Sequence, residues 1–235
     1  MRTILMLLLV PLSLCAQDFW EEANGPYWGA VRSLITNSNG QIFAGTLGGV
    51  FRSMDNGVSW IQVNVGFPNN NTSVTSFIIA SNGHIFAGTN FGIFRSTNNG
   101  DNWTLIHSGV PNSSCLSFAI NNTNNHVLAG MSNGDILRTT DNGNSWVKIN
   151  TTVIMPGVNS LAIDSNGYIF AGVNSVAVFR SMDNGNTWRQ STAGFPSGVF
   201  TNVHSLAINP SGYIFAGTNR GAFRSINNGD SWGQA

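Results

Sequence analysis

From Val31 onward the chain is written in short apolar bursts, each cut off by Asn, Asp, Gly or Ser. In the stretch 158–192 the bursts VNSLAI, YIFAG, VAVFRS and TWRQS follow one another. Asp164-Ser-Asn-Gly167 separates the first two and Met182-Asp-Asn-Gly185 the last two. Runs of this length, rich in β-branched and aromatic residues, predict strands. Asn-Gly between them predicts hairpins, because both residues tolerate positive φ. No segment sustains a 3.6-residue period, so no helix is expected in the mature chain.

The bursts repeat. Tryptophans at 60, 103, 146, 188 and 232 recur about every 43 residues. IFAGT at 42–46 and 85–89, VLAGM at 127–131, IFAGV at 169–173 and IFAGT at 214–218 keep the same beat. So do VRSL, VTSF, CLSF, VNSL and VHSL, beginning at Val31, Val74, Cys115, Val158 and Val203. Four antiparallel strands per unit, repeated radially, predict an all-β fold, a β-propeller of four-stranded blades. The five units run 31–73, 74–114, 115–157, 158–202 and 203–235. Residues 17–30 precede them: Phe19–Pro26 aligns with a fourth strand and its link, as in Trp188–Pro196. That extra strand leads to the expectation of a natural product with at least one further unit. A closed five-bladed ring in which Trp20 and Trp232 compete for one edge is the alternative.

Composition narrows the class. Formal net charge is zero and charged residues are 9% of the chain, with Lys148 the single lysine, so the basic stripe a nucleic-acid binder needs is missing. Hydrophobic residues at 42% are enough to build a core. Residues 1–16, with one Arg ahead of an apolar run from Ile4 to Leu14 and a small Ala16, have the layout of a secretory signal peptide. The protein is therefore expected to be secreted, periplasmic or at the cell surface; lipid attachment at Cys15 is the alternative, for which Leu14 is a poor fit. After cleavage only Cys115 remains, and one cysteine closes no internal disulfide.

The words SMDNGVSW, STNNGDNW, TTDNGNSW, SMDNGNTW and SINNGDSW resemble the Asp-box, or bacterial neuraminidase repeat. The resemblance covers nearly the whole mature chain. It implies a propeller of the kind seen in sialidases, xyloglucan-cleaving endoglucanases, sortilin-type receptors, photosystem assembly factors and many exported bacterial proteins. Its residues are Ser53, Asp55, Gly57 and Trp60; Ser96, Asn98, Gly100 and Trp103; Thr139, Asp141, Gly143 and Trp146; Ser181, Asp183, Gly185 and Trp188; and Ser225, Asn227, Gly229 and Trp232. Two of the five carry Asn where the others carry Asp. A general acid or hard-metal ligand requires the carboxylate, whereas a turn requires only an accepting side-chain oxygen. The boxes therefore read as structural. Arg52, Arg95, Arg138, Arg180 and Arg224 share one repeat position; a sialidase resemblance invites a carboxylate-binding role, but fivefold repetition favours blade-to-blade packing or a turn ion pair.

Function is expected where the repeat varies. Consecutive antiparallel strands reverse direction, so the strand two–three turns and the interblade links share the face opposite the boxes. The second residue of each inner strand reads Arg32, Thr75, Leu116, Asn159 and His204. Arg32, Thr75, Asn159 and His204, with Phe91 and Arg220 from two of the turns, are the candidate ligand contacts; unselected rim variation is the alternative. No catalytic residue, metal site or cofactor is expected. The only glutamates, Glu21 and Glu22, precede the blades, and Asp135 is the one non-box carboxylate on the variable face, whereas glycosidases commonly need a pair. The chain is thus expected to be a non-catalytic binding or scaffold module for a glycan or a cell-surface or exported protein. A fragment of a sialidase- or endoglucanase-type glycoside hydrolase, and an assembly factor for an exported partner, are the competing readings.

Overall fold

The computed structural model describes residues 25, 29–69, 71–108, 113–149 and 153–235. The expected signal peptide, Cys15 and the extra outer strand at Phe19–Pro26 lie outside the described residues, apart from Gly25. Asn-Gly turns start the folding logic. Asn37 Oδ1 accepts the amides of Asn39 and Gln41, each at 3.0 Å, while Gly40 takes a φ of 75°. That side-chain cap closes a tight turn and forces the two flanking apolar runs to pair antiparallel.

Five four-stranded meanders result, each in the order one-two-three-four. Blade one holds β1 (Ser33–Thr36), β2 (Ile42–Thr46), β3 (Gly49–Ser53) and β4 (Ile61–Gln62). Blade two holds β5 (Val74–Ile79), β6 (Ile85–Thr89), β7 (Gly92–Ser96) and β8 (Thr104–His107). Blade three holds β9 (Cys115–Asn121), β10 (His126–Met131), β11 (Ile136–Thr139) and β12 (Val147–Lys148). Blade four holds β13 (Val158–Ile163), β14 (Ile169–Val173), β15 (Ala177–Ser181) and β16 (Arg189–Gln190). Blade five holds β17 (Val203–Ile208), β18 (Ile214–Thr218), β19 (Gly221–Ser225) and β20 (Gly233–Gln234). The all-β propeller expectation holds, with no helix among the described residues. One boundary differs: β1 begins at Ser33, so Arg32 precedes the strand, held by its amide's 2.8 Å bond to the Gly45 carbonyl.

The core lies between blades. Phe43, Phe86 and Phe170 on the second strands are fully buried, as are Ala44, Ala87, Ala129, Ala171 and Ala216. Strands covered on both faces read as continuous apolar runs, which is why IFAGT shows no alternation. Its glycine is required by close approach. A Cβ on Gly130 would stand 2.6 Å from Val158 Cγ1, and one on Gly172 2.5 Å from Val203 Cγ1, both on the following blade's inner strand. The inner strands stand side by side in chain order, β1, β5, β9, β13 and β17. Residues 221, 222 and 224 of β19 are exposed where their blade-four counterparts are covered, so no described residue packs over that face of blade five.

The glycine contacts yield an internal control. Gly172→Ala drives a methyl into Val203 and is expected to cost roughly 1–3 kcal/mol in urea melts. Gly217→Ala meets only the movable hydroxyl of Ser205 at 2.5 Å and is expected to cost less. Equal losses would show that blade packing does not set the glycine.

Candidate functional site

The boxes come first, because they hold most of the polar chemistry. Asp55 Oδ1 accepts the Ser53 hydroxyl and the Ser59 amide, both at 2.8 Å, and Oδ2 accepts the Ser59 hydroxyl at 2.5 Å. Asn98 Oδ1 does the same work with Ser96 and Asn102, each at 3.0 Å. Asn227 accepts the Ser231 amide at 3.0 Å and donates Nδ2 to its hydroxyl at 2.9 Å. An accepting oxygen is enough to close the turn, and where it belongs to a carboxylate the second oxygen takes a hydroxyl as well. In all five boxes the next two residues, such as Asn56 and Gly57 at φ 57° and 90°, occupy the left-handed region.

The boxes of blades two to five also face the preceding blade. Arg52 Nη1 donates to the Asn99 carbonyl at 2.6 Å and to Asp101 Oδ1 at 2.7 Å. Arg95 reaches the Asn142 carbonyl at 2.5 Å and Asn144 Oδ1 at 3.0 Å. Arg138 reaches the Asn184 carbonyl at 2.7 Å, and Arg180 the Asn228 carbonyl with Asp230 at 2.8 Å. Four arginines are therefore interblade straps. The fifth, Arg224, is exposed and lies 6.0 Å over the Tyr213 ring. His84 and His126, at the repeat position of Tyr213, have pKa values lowered by burial and then by Arg95 and Arg138 respectively.

The tryptophans complete the junction. Trp103 Nε1 donates to the Val63 carbonyl at 2.9 Å, Trp188 Nε1 to Ile149 at 3.4 Å and Trp232 Nε1 to Ser191 Oγ at 3.0 Å, each on the preceding blade. Phe67 stacks on Trp103 at 5.4 Å and Phe195 lies 5.2 Å from Trp232. The interblade links, expected among the binding loops, thus serve in part as lids over the next tryptophan. Gly-Phe-Pro looks like a loop in sequence, yet its ring is spent on packing.

The variable face is separate from the boxes. Arg95 pairs with Thr104 and Ile93 with His107, so Trp103 and the Phe91 turn sit at opposite ends of the β7–β8 hairpin. At the centre, Arg32, Thr75, Leu116, Asn159 and His204 line one cavity of about 340 Å³. Five consecutive units converging on it mark a radial arrangement rather than a linear stack. Phe91 and Arg220 do not line it. They sit on turns between the second and third strands, one or two strands outward from the centre. Arg220 Nε instead donates to the Phe200 carbonyl at 3.2 Å.

The five mouth residues are not equivalent. Thr75 Oγ1 donates to the carbonyls of Gly88 at 3.0 Å and Cys115 at 2.5 Å. Asn159 Nδ2 donates to Asn174 Oδ1 at 2.8 Å and to the Val203 carbonyl at 3.0 Å. Both therefore strap one inner strand to the next, a role the sequence did not suggest. Arg32 and His204 are exposed, and neither makes a side-chain hydrogen bond to another described residue. Asp135 is ion-paired to Lys148 at 2.5 Å. Cys115 is fully buried, which pushes its thiol up to about 12, so it is no nucleophile. Among the described residues no cluster of His, Cys, Asp and Glu is arranged to hold a metal.

Residues 16–234 match the model of the DUF6242 beta propeller domain. The chain belongs to this family. No protein of curated function matches it. Among solved structures it is similar to the extracellular domain of a hybrid two-component system from B. thetaiotaomicron, at 19% identity over 87% of this chain and 28% of that one, TM-score 0.73. It is similar to an ancestral GH74 enzyme at 22% identity over 92% of this chain and 32% of that one, TM-score 0.74. YCF48 bound to D1 peptide is similar at 18% identity over 87% of this chain and 66% of that one, TM-score 0.65. At these identities the likeness is one of fold. The DUF6242 propeller described here spans under a third of the first two proteins.

Two substitutions probe the box. Asp141 is held at about 2, below its ordinary 3.8, chiefly by the Ser145 hydroxyl and amide and by Thr139. A depressed carboxylate adds stability that is complete above 3.8 and disappears as pH falls toward about 2. Asp141→Asn should therefore melt below the parent at neutral pH, with the gap narrowing through that window; a gap independent of pH would refute the charged turn. Trp103→Ala, losing a buried ring, should cost roughly 3–5 kcal/mol in denaturant melts, and Trp60→Ala, half-buried, clearly less.

Proposed function

We propose that this DUF6242 propeller is an exported, non-catalytic binding or scaffold module of the Asp-box kind, which takes a glycan or a cell-surface or exported protein on the face opposite its boxes. The observation that carries the reading is the central mouth. Five units repeat one another closely, yet the single position that faces the cavity holds Arg, Thr, Leu, Asn and His in turn. A rigid frame with variable groups at one opening is how binding sites are built on repeat scaffolds.

Arg32 and His204 are the contacts, with Thr75, Leu116 and Asn159 forming the wall between them. Phe91 and Arg220 belong to the outer rim of the same face. The box aspartates are consumed by their turns, and Asp135 by Lys148, which leaves no unengaged acid–base pair on this face among the described residues. The likeness to extracellular domains, and the signal-peptide layout of residues 1–16, support export. The likeness to a protein bound to a peptide supports a protein ligand as the alternative to a glycan.

The purified chain is to be screened on glycan and exported-protein arrays and assayed for turnover on a sialoside and xyloglucan panel. Retention without turnover is expected, with Arg32→Ala and His204→Ala each weakening the retained ligand about tenfold while melting as the parent does. Turnover would establish the glycoside hydrolase reading instead. A ligand retained equally by both variants would remove the mouth from the site.

A further inference from the structure

A junction between two blades has two halves, and both can be read from the four junctions that the described blades make. The leading half is what a blade presents to the one before it. Its parts are the first residue of the inner strand, fully buried as Val74, Cys115, Val158 and Val203, and the box glycine. A Cβ on Gly100 would stand 2.7 Å from Phe43, and one on Gly229 3.0 Å from Phe170, both in the preceding blade. The trailing half is what a blade presents to the one after it. Its parts are a second-strand glycine that admits the next valine, the apolar residue paired with that glycine on the third strand, and the strap arginine.

Blade one carries a leading half with no described blade against it. Val31 is 44% exposed, and Leu34 is 62% exposed where Phe77 and Leu161 at the same repeat position are buried. A Cβ on Gly57 would have only its own Trp60 within reach, at 3.9 Å. No described arginine takes the Asn56 carbonyl, although Arg52 takes its counterpart at Asn99.

Blade five carries a trailing half in the same state. A Cβ on Gly217 would meet only Ser205 of its own blade, where Gly130 and Gly172 hold Val158 and Val203 of the next. Ala222 pairs with Gly217 and is exposed, whereas Val50, Ile93, Ile136 and Val178 at its position are fully buried. Phe215 is half-buried where Phe43, Phe86 and Phe170 are fully covered. Arg224 is exposed and straps no described carbonyl.

We propose that these two halves join between copies: blade five of one chain docks against blade one of a second copy, repeating the interblade junction head to tail. Val31 enters the space over Gly217, Gly57 presses on Phe215, and the Arg224 guanidinium takes the Asn56 carbonyl. Box one has Val58 where Asp101 and Asp230 give a second acceptor, so this strap is a single carbonyl bond, as Arg138 makes to Asn184. The occupant is a second copy because the chain itself carries both members of the pair, matched in knob, hole, donor and acceptor. The two faces differ, so the contact is heterologous and each added copy leaves one of each to be filled. The inference stands whether or not the mouth binds anything.

Sedimentation of the intact chain over a range of concentrations tests this. The mass is expected to rise from one chain toward two or more, and the melting temperature to rise with it, because docking engages only folded chain. Val31→Asp on blade one and Ala222→Glu on blade five change exposed side chains, and each variant alone should stay at the mass of one chain. Mixed in equal amounts, they bring together one intact face of each kind and should give a dimer and nothing larger. Arg224→Ala should weaken the parent's association about tenfold. Should either face variant melt below the parent, Leu34→Glu and Gly217→Ala take their places. The proposal is overturned if the parent keeps the mass of one chain at every concentration, or if the mixture stays monomeric. It is equally overturned if a face variant or Arg224→Ala associates as the parent does.

Discussion

The contact between one blade's arginine and the next blade's box decides most of this molecule. A single blade is a twisted sheet with two apolar faces and no means of covering them. Stacking blades around an axis covers the faces, but dispersion between Phe and Ala surfaces is non-directional and leaves the angle between blades loose. The guanidinium removes that looseness. It donates to a carbonyl that the box turn has already aimed outward, and the turn is aimed because Asn and Gly adopt positive φ. The side chains of Arg52 and Arg180 are only 11% and 12% exposed, so these charge-assisted bonds work in a less screened setting than a surface ion pair. The box glycine then sits against the preceding blade, where a Cβ at Gly100 would lie 2.7 Å from Phe43 and one at Gly143 2.7 Å from Phe86. Turn, cation and glycine form one junction, made four times along the described chain.

That junction explains why so little of the sequence is free to vary and where the freedom lies. Everything at the box end is committed to the next blade. At the opposite end the same constraint is relaxed, because the turns between second and third strands touch their own blade more than the neighbour. Even there the commitment is partial. Asn90, Ser132 and Asn219 each exchange hydrogen bonds with the residue just ahead of the blade's own inner strand. These turns are pinned at their first residue, and the residue after it, Phe91, Asn133 or Arg220, is where the side chain changes from blade to blade.

Much of this was legible beforehand, for a physical reason. A repeated turn with Asp and Asn interchangeable announces that only an oxygen is needed; in the structure Oδ1 of Asp55 and of Asn98 each accept the amide four residues on. Fivefold arginine at one position announces packing, and the four strapped side chains agree. What remained hidden depends on which donor meets which acceptor across blades. Nothing in the letters distinguishes Thr75, whose hydroxyl is used by the Cys115 carbonyl, from His204, which is exposed. Likewise Phe67 and Phe195 sit in Gly-Phe-Pro segments that look like open loops, and only their distance to Trp103 and Trp232 shows them as lids. Thr201 and Thr72 are the same residue at the same repeat position; a bond to a carbonyl three residues earlier separates them.

The uneven state of the mouth residues has a consequence for how a ligand would be held. Thr75 and Asn159 already bond to the inner strand of the next blade, so a ligand competing for those groups would have to weaken a junction to gain a contact. Arg32 and His204 carry no such cost, and they come from the first and last units of the described chain. Binding energy at the mouth is therefore cheapest at the two ends of the arc, with the middle blades acting as a fixed wall. A ligand spanning Arg32 and His204 would tie blade one to blade five across the cavity, doing from inside what the arginine straps do from outside. Its occupancy would accordingly be felt in the stability of the whole arrangement rather than at one blade, because bound ligand stabilises only the geometry that holds both ends in place.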